Sequence, residues 1–263
     1  MARGYPDQIH LEQMSHEEVA AALAQGCTTV VIPLGAVEQH GPHLSLGMDA
    51  DHAEALAERI ARSRGATLVA PTIKTGCSSH HLPFAGTISL RPETLEAICL
   101  DYCASLARHG FTRILIHSGH IGNFPILKDM LGRLRAAVPS SVEILAFTDS
   151  TTWIDTWRDA VRDAGGNVSA VGGHADIAET SLMMVIRPDS VRQDRLEVGH
   201  LGGLSEADLE LMWKNGIRSV SPNGVIGSPF GSSRQIGEAC LAAVADLLIE
   251  TFDGGSSAGG ARR

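Results

Sequence analysis

The chain has 263 residues, of which 44% are hydrophobic, 19% charged and 4% aromatic, with a formal net charge of −9. This balance excludes a disordered or fibrous protein and describes one globular domain over 1–252, followed by a Gly/Ser-rich tail over 253–263 expected to be disordered. A net negative charge with no basic run argues against nucleic acid. The absence of an apolar h-region near the N-terminus, or of any apolar stretch of about 18 residues, argues against secretion and membrane spanning, so a cytoplasmic location is expected.

In chain order, TTVVIPL at 28–34, TLVAPTI at 67–73, TRILIHS at 112–118 and VEILAFT at 142–148 are the short apolar runs that a parallel sheet buries on both faces. Helical patterns lie between them. Over 51–64, Ala53, Leu56, Ala57, Ile60 and Ala61 form one stripe, with Asp51 (or less favourably Asp49) as its N-cap. Pro92 opens a helix over 92–108 that Gly110 closes, and 124–137 and 178–186 also read as helical. Later, 205–215 is a helix capped by Ser205 and 237–252 is a final helix. This βα order predicts an α/β fold with a mostly parallel sheet covered on both faces. The five cysteines (Cys27, Cys77, Cys99, Cys103 and Cys240) contain no CxxC pair and suit reduced, buried thiols.

The unusual polar residues fall after the strands: Glu38, His40 and Asp49 after the first, His80 and His81 after the second, His120 after the third, Trp153 and Trp157 after the fourth. In an open parallel sheet such segments share the carboxyl edge, where ligands bind. Glu38 and His40, two apart in an extended segment, point the same way and offer oxygen and nitrogen donors that suit zinc, manganese or iron(II); a solvated loop is the alternative. His120 sits in a glycine-rich turn, as either a ligand or a hydrogen-bonding loop residue. His174 and Glu179 precede an apolar helix, where Glu179 also suits the positive end of the helix dipole.

Together, LGAVEQHGPHL with an aspartate nine residues after His40, then GTISL, GHIGN and HADIAETS, resemble the creatininase family of metal-dependent amidohydrolases over about residues 25–250. The resemblance implies a three-layer α/β/α sandwich, a centre of two divalent ions (zinc first, manganese or iron(II) as alternatives) and a homo-oligomer, often a hexamer. It places Glu38 and His120 on one ion, His40 on the other and Asp49 between them. Gly122 stands where creatinine-hydrolysing members carry a glutamate, so Glu179 is expected to complete the ligand set. His174 becomes the proton-transfer residue. His80 departs from a family glutamate while His81 matches its pattern. His80, His81 and Trp153 are assigned to the substrate pocket, with exposure of His80 and core packing of a tryptophan as alternatives; His43 is expected to be a supporting residue.

The reaction implied is hydrolysis of a carbon–nitrogen bond in a small cyclic amide or formamide, with a water shared by the two ions as nucleophile. Trimming of a small modified peptide, as in the family's mycofactocin-maturing branch, is the alternative within enzymes. A catalytically silent metal-binding protein is the alternative outside them.

Overall fold

In the computed structural model, which describes residues 6–254, the four apolar runs become one parallel sheet. Its strands are β1 (Thr29–Leu34), β2 (Thr67–Val69), β3 (Arg113–Ser118) and β4 (Glu143–Ala146), in the order β2-β1-β3-β4. β1 lies at the centre, with Val31 opposite Val69 on one side and Leu115 on the other.

Because side chains alternate across a strand, each of these runs feeds two cores. Val31 and Leu115 face a cluster that contains Leu56 and Ile60 of α2 (Met48–Arg64), Trp153 and Trp157 of α5 (Ser150–Asp163), Leu182 of α6 (Ile177–Ile186) and Val244 of α8 (Arg234–Gly254). Val30, Ile32, Ile114 and Ile116 face the opposite cluster, with Ala22 of α1 (His16–Ala24), Leu95 and Cys99 of α3 (Pro92–His109) and Leu127 of α4 (Phe124–Ala136). The architecture is therefore a three-layer α/β/α sandwich. A small antiparallel sheet, β5 (Val171–His174) with β6 (Ile226–Gly227), and the helix α7 (Glu206–Asn215) lie beyond its carboxyl edge.

Several expectations shift. The α2 helix starts at Met48 after Gly47, which offers no side-chain cap, so Asp51 is not its N-cap but pairs with Arg187 at 3.1 Å. That earlier start places Asp49 in the first turn. Helix α1, opened by a capping box between Ser15 and Glu18, was not anticipated, because its apolar content is mainly alanine. Nor was α5, whose Asp149 cap follows β4 so closely that the segment reads as a loop. All five cysteines are buried without a disulfide, and burial pushes the Cys99 and Cys103 thiols up to about 12. Helix α8 carries the domain to Gly254, two residues into the expected tail; the rest of that tail, 255–263, lies outside the described residues. Among the described residues no helix is long and apolar enough to cross a membrane.

Candidate metal centre

The loop after β1 carries Glu38 and His40 back beneath the start of α2. Its backbone is held by Glu38 N–H donating to Leu46 O at 3.0 Å and by Ile88 N–H donating to Val37 O at 2.8 Å. The turn after β3 closes against α2 at Gly119, where a Cβ would lie 2.4 Å from the Asp49 carbonyl oxygen. Only glycine allows that approach, which puts His120 beside Asp49. The third segment turns at Ala175, whose φ of +52° is unusual for a residue with a side chain. Asp176 clamps that turn, accepting from the N–H groups of Gly172 and Gly173 at 2.8 Å each and, as the cap of α6, from Ala178 and Glu179. The Ala175 N–H in turn donates to Glu179 Oε2 at 2.5 Å and aims that carboxylate inward.

These segments converge on Asp49. Its Oδ2 lies 3.4 Å from His120 Nδ1, and its Oδ1 lies 3.2 Å from His40 Nε2. Glu38 Oε2 lies 3.3 Å from His120 Nε2, and Glu179 Oε2 lies 3.7 Å from His40 Nε2. Two compact donor groups result, Glu38–Asp49–His120 and His40–Asp49–Glu179, with Asp49 common to both and the donor atoms of each within 4.8 Å of one another. His174 also groups with Glu38 and His40, its Nδ1 3.7 Å from Glu38 Oε1.

The donor set fits divalent cations. Both Glu38 oxygens, Asp49 Oδ2 and His40 Nε2 are buried without a hydrogen-bond partner, a costly arrangement unless a cation takes them. With protein groups alone, burial and then the Asp49 charge push Glu38 well above the usual carboxylate range. Burial likewise raises Glu179 to about 8, with Asp49 and Asp176 adding to it. Burial alone would lower His40, but Asp49, Glu179 and Glu38 together raise it to about 10. Three carboxylates offset most of the charge of two divalent ions, whereas one ion would leave the pocket anionic. Oxygen and imidazole nitrogen donors suit zinc, manganese and iron(II). His40 Nδ1–H donates to the Glu38 carbonyl at 3.1 Å, so in the neutral ring that a cation would bind, Nε2 is the bare nitrogen toward the centre.

Around this centre lies a cavity of about 520 Å³. His80, His81 and His174 line it, and burial holds all three neutral, His80 at about 3. His43 does not reach it; the ring is buried, with Nε2 2.9 Å from Thr180 Oγ1. Trp153 does not reach it either, which corrects its assignment to the substrate pocket. Fully buried, it packs against Phe124, Phe147, Trp157 and His52, because α5 presents its apolar stripe to the core. The aromatic wall is Trp213 of α7, its ring 4.5 Å from that of His80. The sequence reading missed Trp213, on a short helix whose first turn and last two residues are polar, and Gln39, a neutral residue between two expected ligands. It also passed over Lys128, among the described residues the one lysine or arginine on the cavity lining. Gly122 lines the cavity too, and a Cβ there would lie 2.3 Å from His120 Nε2.

The profile of the creatininase family, described as creatinine amidohydrolase, matches residues 12–252. The mycofactocin precursor peptide peptidase of Mycobacterium ulcerans is 33% identical over 84% of this chain and 83% of its own. The creatinine amidohydrolase of Pseudomonas putida is 28% identical over 93% of this chain and 97% of its own. A solved creatininase variant described as of the Zn-Zn type superposes with a TM-score of 0.78 at 25% identity, over 94% of this chain and 99% of that one. With a shared sheet edge, a doubled donor set and a family match across almost the whole chain, the protein belongs to the creatininase family of amidohydrolases, hydrolases acting on carbon–nitrogen bonds.

Proposed function

We propose that the chain hydrolyses an amide bond at a centre of two divalent ions, one held by Glu38, Asp49 and His120 and the other by His40, Asp49 and Glu179. The observation that carries this reading is Asp49, whose two carboxylate oxygens face two different histidines at 3.2 and 3.4 Å. Ions bound there would supply Lewis acidity toward the amide oxygen and make water acidic enough to act as nucleophile near neutral pH.

The protein's own groups do the rest. His174, neutral and close to Glu38, takes the proton that the nucleophilic water loses and returns it to the leaving nitrogen. His80 and His81 line the approach to the centre and orient the amide. The apolar residues on the lining lower the local polarity, which strengthens each charge–dipole contact with the developing oxyanion.

The cavity favours a substrate larger than a bare ring. Its volume is that of sites for drug-sized ligands, roughly 300–1,000 Å³, and Leu204, Leu209, Met212 and Trp213 offer an apolar surface away from the donors. Lys128, on the same lining, suits a carboxylate. An amide that joins an apolar residue to a carboxylate-bearing one, as in a short peptide, meets these features; a small lactam or formamide fills only the inner end. Gly122, which supplies no carboxylate, also speaks against creatinine. Assay of the zinc- or manganese-loaded protein against lactams, hydantoins, formamides and short peptides tests the reading. Turnover of peptides with free carboxylates, weaker for their capped forms, is expected; turnover of lactams or formamides alone would restore the small-ring reading, and no hydrolysis of any amide would overturn both.

A further inference from the structure

Gln39 lies between two proposed ligands and is only 4% exposed, yet its side chain joins neither donor group and enters a polar nest of its own. Gly41 N–H donates to Gln39 Oε1 at 2.9 Å. A backbone N–H can only donate, so this contact fixes which end of the amide is oxygen. Its Nε2 end then faces three atoms: the Gly224 carbonyl oxygen at 3.1 Å, His81 Nδ1 at 2.9 Å and His174 Nε2 at 2.9 Å. The approach is tight, since a Cβ at Gly224 would lie 2.0 Å from Gln39 Oε1.

An amide nitrogen has two hydrogens and cannot serve three acceptors. The backbone resolves the conflict. His174 Nε2 also lies 2.8 Å from the carbonyl oxygen of Gln39, an atom that can only accept. The His174 proton therefore sits on Nε2 and goes to that carbonyl, which leaves the amide's two hydrogens for Gly224 O and His81 Nδ1. His81, accepting at Nδ1, carries its proton on Nε2, 3.3 Å from Glu38 Oε1.

We infer that Gln39 is a positioning residue that sets the protons of two histidines from one side, its carbonyl fixing His174 and its side-chain amide fixing His81. Both rings are Nε2–H tautomers, but they face the centre with opposite ends. His174 offers a bare Nδ1, the end that can receive a proton, whereas His81 offers an N–H that can only donate. Exchanging the two roles would require the side-chain amide nitrogen to accept and the backbone carbonyl to donate, and neither can. The use of the bare Nδ1 in turnover rests on the hydrolase reading above; the positions of the two protons do not.

The test is a nitrogen-15 spectrum of the zinc-loaded protein labelled at histidine, in which two-bond couplings from ring protons to ring nitrogens distinguish the tautomers, with His81→Gln and His174→Gln identifying the signals. The wild type is expected to show Nε2–H for both rings. In Gln39→Glu, recorded at a pH where the new carboxylate is ionised so that it keeps the shape but cannot donate, His81 is expected to gain a proton at Nδ1 while His174 keeps its tautomer, because its acceptor is backbone. Activity should fall about 10–100-fold, the usual effect of losing a group that orients a site residue, and mainly in kcat. An Nδ1–H tautomer for either ring in the wild type, or an unchanged His81 in the folded variant, overturns the inference. If Gln39→Glu does not fold, the wild-type spectrum alone decides. Zinc content measured on the same samples tests the two-ion reading separately.

Discussion

Replacing Trp153 and Trp213 separately by alanine should split stability from substrate binding. Trp153 is fully buried, with ring centroids 5.5–5.9 Å from those of Phe124, Phe147, Trp157 and His52. A buried tryptophan covers about 150–250 Å², worth about 4–6 kcal/mol at 25 cal/mol/Å². Direct large-to-small replacements cost about 3–5 kcal/mol, and we take that figure. Its indole N–H has no partner, so no hydrogen bond is lost in addition. At about 2–4 °C per kcal/mol for a chain near this size, Trp153→Ala should lower Tm by about 6–20 °C. Trp213 is 51% exposed, so Trp213→Ala removes about half as much burial, about 1.5–2.5 kcal/mol, and lowers Tm by about 3–10 °C. Its loss should appear in KM, with a rise of about 10–70-fold for substrates bearing an apolar group if the same contact energy serves binding. Thermal unfolding of the metal-loaded variants, followed by circular dichroism, and steady-state kinetics give both numbers. A Trp153→Ala protein with unchanged Tm and a raised KM would refute the placement of the two indoles.

A methyl group added in Gly122→Ala must displace the His120 ring, which it would approach to 2.3 Å, so affinity for the ion on Glu38, Asp49 and His120 should fall about 10–100-fold, as judged by competition with a chelator; unaltered affinity would show that the ring has room. The metal-free protein should lose stability in acid. His117 is buried with neither ring nitrogen hydrogen-bonded, and burial lowers it to about 3. Its folded pKa lies below the unfolded value near 6.5, so the stability it contributes is complete above about pH 6.5 and is lost on acidification, on the order of 1.4 kcal/mol per pH unit down to about 3. His117→Leu should flatten the slope of urea midpoint against pH between 6 and 4; the same slope as the wild type would place the cause elsewhere. Glu179→Gln should retain close to one ion per chain with little activity, and retention of two ions would remove Glu179 from the ligand set.

The sheet was legible because each strand is apolar on both faces, and most of the donor set because strand-to-helix segments converge at one edge. Glu38, His40, Asp49, His120, Glu179 and His174 lie within a few ångströms of one another although they span residues 38–179. What stayed hidden depends on orientation across elements. Nothing local shows that Trp153 faces the core while Trp213, on a short helix of mixed character, faces the cavity. The start of α2 was misplaced because Asp51 has the chemistry of a cap, whereas Gly47 holds that position without one. Gln39 was passed over because its role lies in contacts with Gly224, His81 and His174, between 42 and 185 residues away.

Metal content measured by mass spectrometry on protein loaded with zinc and freed of excess, compared with Asp49→Asn, tests the shared carboxylate most directly. The wild type should hold close to two ions per chain, and the variant should lose affinity for both together, since one oxygen of Asp49 serves each donor group. One ion or none in the wild type, or an Asp49→Asn protein that keeps both ions as tightly, would contradict the two-ion centre.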